Sequence, residues 1–126
     1  MILKETSKID TVSGVIYLAS PYYSSSAKVR AIRAIEATAA VEELIIRGIN
    51  VFSPIAYLHP IAQKYNLALG FESWKHFDLT LLKACSLLAV LMLPGWRDSV
   101  GVTAEIKEAT RFKIPIEYIF HEENLS

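Results

Sequence analysis

The sequence predicts an α/β domain built on a doubly wound parallel sheet, and three observations carry that prediction. Short β-branched and aromatic runs alternate with long helical stretches in the order β-α-β-α-β-α-β, the arrangement that gives a parallel sheet with helices on its faces. Residues 87–93 (LLAVLML) are apolar without alternation, which marks a strand buried on both faces near the middle of such a sheet. Residues 114–120 (IPIEYIF) carry Pro115, which suits an edge strand. A sheet of four or five strands is expected.

Residues 1–13 are mixed and polar and read as an extension outside the core, leaving 14–126 as the domain. Residues 15–19 (VIYLA) form the first strand, which Ser20 and Pro21 stop. A long helix follows over 27–47. Ser24, Ser25 or Ser26 caps its first free N–H groups, and Gly48 ends it. Ala34, Ala37, Val41, Leu44 and Ile45 recur at helical spacing as its buried stripe. Residues 49–53 (INVFS) make the second strand, closed by Pro54. Residues 55–73 read as irregular, with a short helix around 60–65 and a break near Gly70. Residues 71–84 are helical, with Trp74, Phe77, Leu81 and Ala84 on one face. After the strand 87–93, residues 94–99 (PGWRDS) form a loop and 101–113 a helix that leads into the last strand.

Composition narrows the function. The 126 residues, 52% hydrophobic with a mean hydropathy of +0.32, make one domain that buries roughly two-thirds of its unfolded surface. The 13 Lys and Arg balance 13 Asp and Glu, which argues against holding a nucleic acid polymer or an anionic membrane but allows one small phosphorylated molecule. The single cysteine, Cys85, permits no intrachain disulfide and reads as a small core residue. The first 14 residues lack the apolar region of a signal peptide. The seven-residue run 87–93 falls far short of the ~18–20 residues that span a bilayer. A cytoplasmic location is expected. His59, His76 and His121 show no metal-ligand spacing, and neither a metal nor a cofactor is expected.

In doubly wound sheets, ligands bind beyond the carboxyl ends of the strands, where the strand order switches. That rule selects residues 20–26, 53–60 and 94–99. The first stretch lacks GxGxxG and GxxxxGK[ST], yet offers hydroxyls and a helix start with Lys28 and Arg30 one turn on. It fits either a site for one anionic group or a capped helix with two solvent-facing bases. In the third, Trp96, Arg97 and Asp98 precede Ser99, Gly101 and Glu105. Gly101, Glu105 and Ala109 stand four apart and share one helical face, so two very small residues bracket Glu105 and leave space over its carboxylate. Composition alone favours a solvated glutamate there. Asp78 stands among the apolar Phe77, Leu81 and Leu82, and spacing alone leaves it a surface charge.

Three stretches carry a family resemblance: residues 17–22 (YLASPY), residues 51–55 (VFSPI) with His59 and Pro60, and residues 91–105 (LMLPGWRDSVGVTAE). Over most of 15–120 the chain resembles the nucleoside 2-deoxyribosyltransferase superfamily. The resemblance implies a three-layer flavodoxin-like fold and cleavage of the N-glycosidic bond of a small nucleoside or nucleotide. Glu105, four residues after Gly101, matches the family nucleophile. Asp78, followed by Leu79, matches the aspartate that binds and protonates the substrate. Ser99, with Asp98 beside it, matches the sugar contact six residues before the nucleophile. The tyrosine that orients the nucleophile is assigned to Tyr22, with Tyr17 or Tyr23 in reserve. Ser20, Tyr23, Ser24, Ser53 and Gly101 are expected as further substrate contacts, and Trp96 or Trp74 as the aromatic platform for the base. The glycine-rich phosphate loop of nucleotide-hydrolysing relatives is replaced by residues 22–26, which leaves nucleoside and 5′-nucleotide both open.

The implied chemistry is a glycosyl ester on Glu105, resolved by water or by a second base, hence a hydrolase or a transferase. Relatives often complete the pocket from a neighbouring subunit, so a homo-oligomer is implied. The same fold also suits a non-catalytic nucleotide-binding or sensor module, or an interaction protein that oligomerises through apolar faces. Intact Glu105, Asp78 and a tyrosine after Ser20-Pro21 favour the enzyme.

Overall fold

Four parallel strands form the sheet of the computed structural model, which describes residues 7–67 and 70–120. They are β1 (Ile16–Ala19), β2 (Val51–Phe52), β3 (Leu87–Leu91) and β4 (Ile116–Ile119), in the order β2-β1-β3-β4. Ile16 lies against Val51 on one side and Leu87 on the other, and Leu88 lies against Ile116. As the apolar run and Pro115 predict, β3 is interior with all five residues buried, and β4 is an edge. The helices are α1 (Ser7–Thr11), α2 (Ala27–Ile46), α3 (Pro54–Tyr65), α4 (Phe71–Lys83) and α5 (Val100–Arg111).

The two-residue period of the strands sorts their side chains into two cores. Ile16, Leu18, Leu87, Ala89 and Leu91 pack with Ile9 of α1 and Ala40 and Leu44 of α2. Tyr17, Ala19, Leu88 and Val90 pack with Leu82 of α4 and Val102 and Ala109 of α5. The result is a three-layer flavodoxin-like fold. Each leucine so enclosed contributes about 1.5–3 kcal/mol of transfer free energy. From β1 the chain crosses to β2 on one side, then returns past β1 to β3, so the connections diverge at the carboxyl ends of β1 and β3. A crevice opens where they part.

Four local readings are corrected. Ile9 is 2% exposed within the first core and Val12 packs against it, so Ile9 and Val12 of the segment read as an extension belong to the core; an apolar residue every third position was too sparse a signal. Residues 1–6 of that segment, and His121, lie outside the described residues. Residues 54–65 form one helix rather than an irregular stretch with a short helix at 60–65. Ser53 Oγ accepts from the Ala56 N–H at 3.1 Å and Pro54 takes the first turn, where its missing N–H costs nothing. Pro60 sits inside this helix, which continues until Asn66 turns left-handed at φ 52°.

The buried stripe of α2 is Ala34, Ala37, Ala40 and Leu44; Ile45 is exposed. The helix ends as Gly48 allows, at φ 82°, with the Gly48 and Ile49 N–H groups donating back to Ile45 and Leu44. On α4 the buried residues are Asp78 and Leu82, while Phe77 stays exposed. The helix is therefore rotated from the expected Trp74–Phe77–Leu81–Ala84 face, and Asp78 is not a surface charge. Among the described residues, no helix is long and apolar enough to cross a membrane.

Candidate active site

Tyr17 reaches the site because alternation in β1 turns it toward α5, where it is fully buried. Its hydroxyl donates a hydrogen bond to Glu105 Oε2. Glu105 is set by α5, whose start is fixed by Ser99 Oγ accepting from the Val102 N–H at 3.2 Å. One turn before Glu105, Gly101 makes room for the Phe71 ring of α4: a Cβ added at Gly101 would lie 3.2 Å from Phe71 Cδ1. Asp78 enters from α4. Glu105 is 4% exposed and Asp78 6%.

Phe71, Asp78, Ser99, Gly101 and Glu105 help to wall a cavity of about 370 Å³ at the carboxyl ends of β1 and β3, with Tyr17 behind Glu105. Three helices contribute stripes at helical spacing: Ile55, Leu58 and His59 from α3; Phe71, Trp74 and Asp78 from α4; Gly101 and Glu105 from α5. Ser20, Tyr22 and Tyr23 close it from the loop after β1, and Asp98 and Ser99 from the loop after β3. Two buried atoms in its wall, Ser20 Oγ and Asp78 Oδ1, have no hydrogen-bond partner. A buried polar atom without a partner costs about 1–3 kcal/mol, which a ligand can recover.

Burial dominates the electrostatics. It pushes Glu105 up to about 8, with the Tyr17 hydrogen bond pulling the other way and Asp78 adding to the rise. It pushes Asp78 up to about 7. Tyr17 is raised far above the usual phenol range by burial, then by the nearby Glu105 and Asp78 charges, so it keeps its proton and acts as a donor. His59 is lowered by burial and by the charge of Arg30. Burial also raises Cys85 to about 11, which keeps its thiol protonated. Among the described residues, no group of three His, Cys, Asp or Glu is placed to hold a metal ion.

A family model described as a domain of unknown function, DUF1937, matches residues 14–120. The chain belongs to the DUF1937 family. The match spans all four strands and every residue that lines the cavity. No curated protein matches the chain.

Within this DUF1937 domain, the cavity brings together Glu105, Asp78, Tyr22, Ser20, Tyr23, Asp98, Ser99 and Gly101 of the residues expected from sequence. The tyrosine on the nucleophile candidate is Tyr17, not Tyr22. Tyr22 lies beyond Pro21 at the strand end, and its hydroxyl hydrogen-bonds His59 Nδ1 with the two rings edge to face. Ser24 accepts from the Ser26 N–H at 3.1 Å and does not line the cavity. Ser53 caps α3 and is likewise not in the lining. Trp96 sits in a 3-10 turn (Trp96–Asp98) and folds back onto Tyr118, with ring centroids 5.6 Å apart; Trp74 lines the cavity instead. Sequence reasoning selected the stretch 53–60 without giving His59 a role in it, and missed Phe71 and Glu72 as wall residues. Pro54 directly after Ser53 was the available signal for α3, because that pair is a helix start that projects residues 55, 58 and 59 together.

Proposed function

We propose that this DUF1937 domain cleaves or transfers at the N-glycosidic bond of a small nucleoside or nucleotide, with Glu105 as nucleophile. The observation that carries the reading is a buried glutamate held by the Tyr17 hydroxyl inside a cavity that it shares with a second buried carboxyl, Asp78. Fixing Oε2 through Tyr17 leaves Oε1 to attack the anomeric carbon. The C–N bond breaks with its electron pair on the base, and the Asp78 proton moves to the departing base. A glycosyl ester forms on Glu105. Water, or a second base, then attacks from the opposite face, with Asp78 taking back a proton, and the sugar leaves with its configuration retained. Trp74 and Phe71 offer apolar faces against which a base can stack.

The test is incubation with a panel of nucleosides and nucleotides, free base being followed by chromatography. Base release by the wild type and its loss in Glu105→Gln are expected. Mass spectrometry of quenched wild-type enzyme should find a sugar adduct on the peptide holding Glu105. Binding without base release across the panel would favour a nucleotide-binding module and end the catalytic reading.

A further inference from the structure

We propose that the cavity takes a nucleoside that carries no 5′-phosphate, and that the carboxylates of Glu72 and Asp98 at its rim enforce the exclusion. This deepens, and rests on, the glycosidic reading above. Four carboxyl side chains line the cavity, Glu72, Asp78, Asp98 and Glu105, and among the described residues no lysine or arginine does. A phosphate ester brings up to two negative charges and calls for charge-assisted donors.

Two arginines stand beside the mouth without lining it, and loop carbonyls hold part of each guanidinium. Arg30 Nη1 donates to the Ser24 carbonyl. Arg33 Nη1 donates to the carbonyls of Tyr22 and Tyr23 at 3.3 and 2.9 Å, and its Nη2 to that of Pro94 at 3.3 Å. At the α2 start, Ser26 Oγ already accepts from the Val29 N–H. His59 is engaged with Tyr22 and, with its basicity lowered, adds no cation near neutral pH.

What the cavity does offer is suited to neutral donors. Ser20 Oγ and Asp78 Oδ1 are buried and unpartnered, positions that the hydroxyls of a sugar and the N–H groups of a base can fill. Glu72 and Asp98 are exposed at the rim, so their repulsion of a phosphate acts through solvent and weakens with salt.

The test uses 2′-deoxyadenosine, 2′-deoxyguanosine, 2′-deoxycytidine and thymidine, their ribose counterparts, and the 5′-monophosphate of each. For each pair kcat/KM for base release is measured on the full chain, and binding is measured by calorimetry on Glu105→Gln. For the preferred base, the nucleoside should lead its monophosphate by about tenfold or more, which is about 1.4 kcal/mol. The double substitution Glu72→Gln with Asp98→Asn should narrow that ratio severalfold, and added salt should narrow it in the wild type but not in the variant. A monophosphate used as well as its nucleoside overturns this inference and leaves the glycosidic reading standing. A ratio unmoved by the double substitution removes the rim from the explanation. If no pair releases base and none binds, the reading itself falls, and the inference with it.

Discussion

Removing one oxygen from Tyr17 tests the site at its smallest scale. In Tyr17→Phe, Glu105 loses the donor that lowers its proton affinity. A hydrogen bond to a charged group contributes about 1.5–3 kcal/mol, so base release near neutral pH should fall by about tenfold to a hundredfold, with the basic limb of the rate profile, which follows Glu105, displaced upward. Tyr22→Phe gives up only the bond to His59 and should leave that limb in place. Rate profiles of the two variants therefore decide between the tyrosines. In the wild type, Asp78 near 7 and Glu105 near 8 share one proton between those values. Base release as kcat/KM should follow a bell with its maximum in that interval, and a profile flat from about pH 6 to about pH 9 would contradict the pairing. Glu105→Gln is a better probe than Glu105→Ala. Helix propensity alone would make alanine harmless, but truncation strands the buried Tyr17 hydroxyl. Glu108 remains the control. It pairs with Lys83 at 3.5 Å, so Glu108→Gln should cost no more than about 1 kcal/mol and spare activity.

At the scale of elements, α3 and α5 each start on a serine cap, and two substitutions on these helices separate fixing from binding. Ser53→Ala removes the α3 cap and should cost about 1 kcal/mol of stability, read as a lower melting temperature. Because Ser53 lies outside the lining, KM should not change; a raised KM would restore it as a substrate contact. Gly101→Ala gains helix propensity but presses on Phe71 at 3.2 Å. The ring belongs to the cavity wall, so the expected signature is weaker substrate binding with stability changed by less than about 1 kcal/mol. Much of this arrangement was legible beforehand. An unbroken apolar run places β3, Pro115 places β4, the spacing of Gly101 to Glu105 points to one carboxyl, and the Asp78-Leu79 pair points to the other only through the family resemblance. Other parts were hidden for physical reasons. A tyrosine inside an apolar strand reads as core, and its partner stands 88 positions away, so only tertiary register reveals that bond. Pro60 reads as a helix breaker, yet a prolonged α3 tolerates it. Charged neighbours make Trp96 look like a loop aromatic, while its ring returns to Tyr118 on the edge strand.

For the whole molecule, the two buried carboxyls link folding to pH. Both hold protons more tightly folded than unfolded, so their contribution is fully present below the unfolded carboxyl range and is lost as pH rises through about 7 to about 8. Glu105→Gln has no proton to lose. It should melt several degrees above the wild type at about pH 9 and show no such gain at about pH 4, which calorimetry at the two pH values would check. We also propose that the chain self-associates as a homo-oligomer. On α2, Ile35 and Ile46 are 67% and 85% exposed, an apolar surface that a second copy would cover. Light scattering that reports a monomer at micromolar concentration would count against it. The guanidinium of Arg33 has one more consequence. It ties the carbonyls of Tyr22 and Tyr23, after β1, to that of Pro94, after β3. Gly95, at φ 90°, leaves it space, since a Cβ there would lie 2.7 Å from Nη2. Two loops about 70 positions apart in the chain thus share a single suture. Their amide hydrogens should exchange with solvent as one cooperative unit, and cutting the suture with Arg33→Ala should accelerate exchange in both loops together.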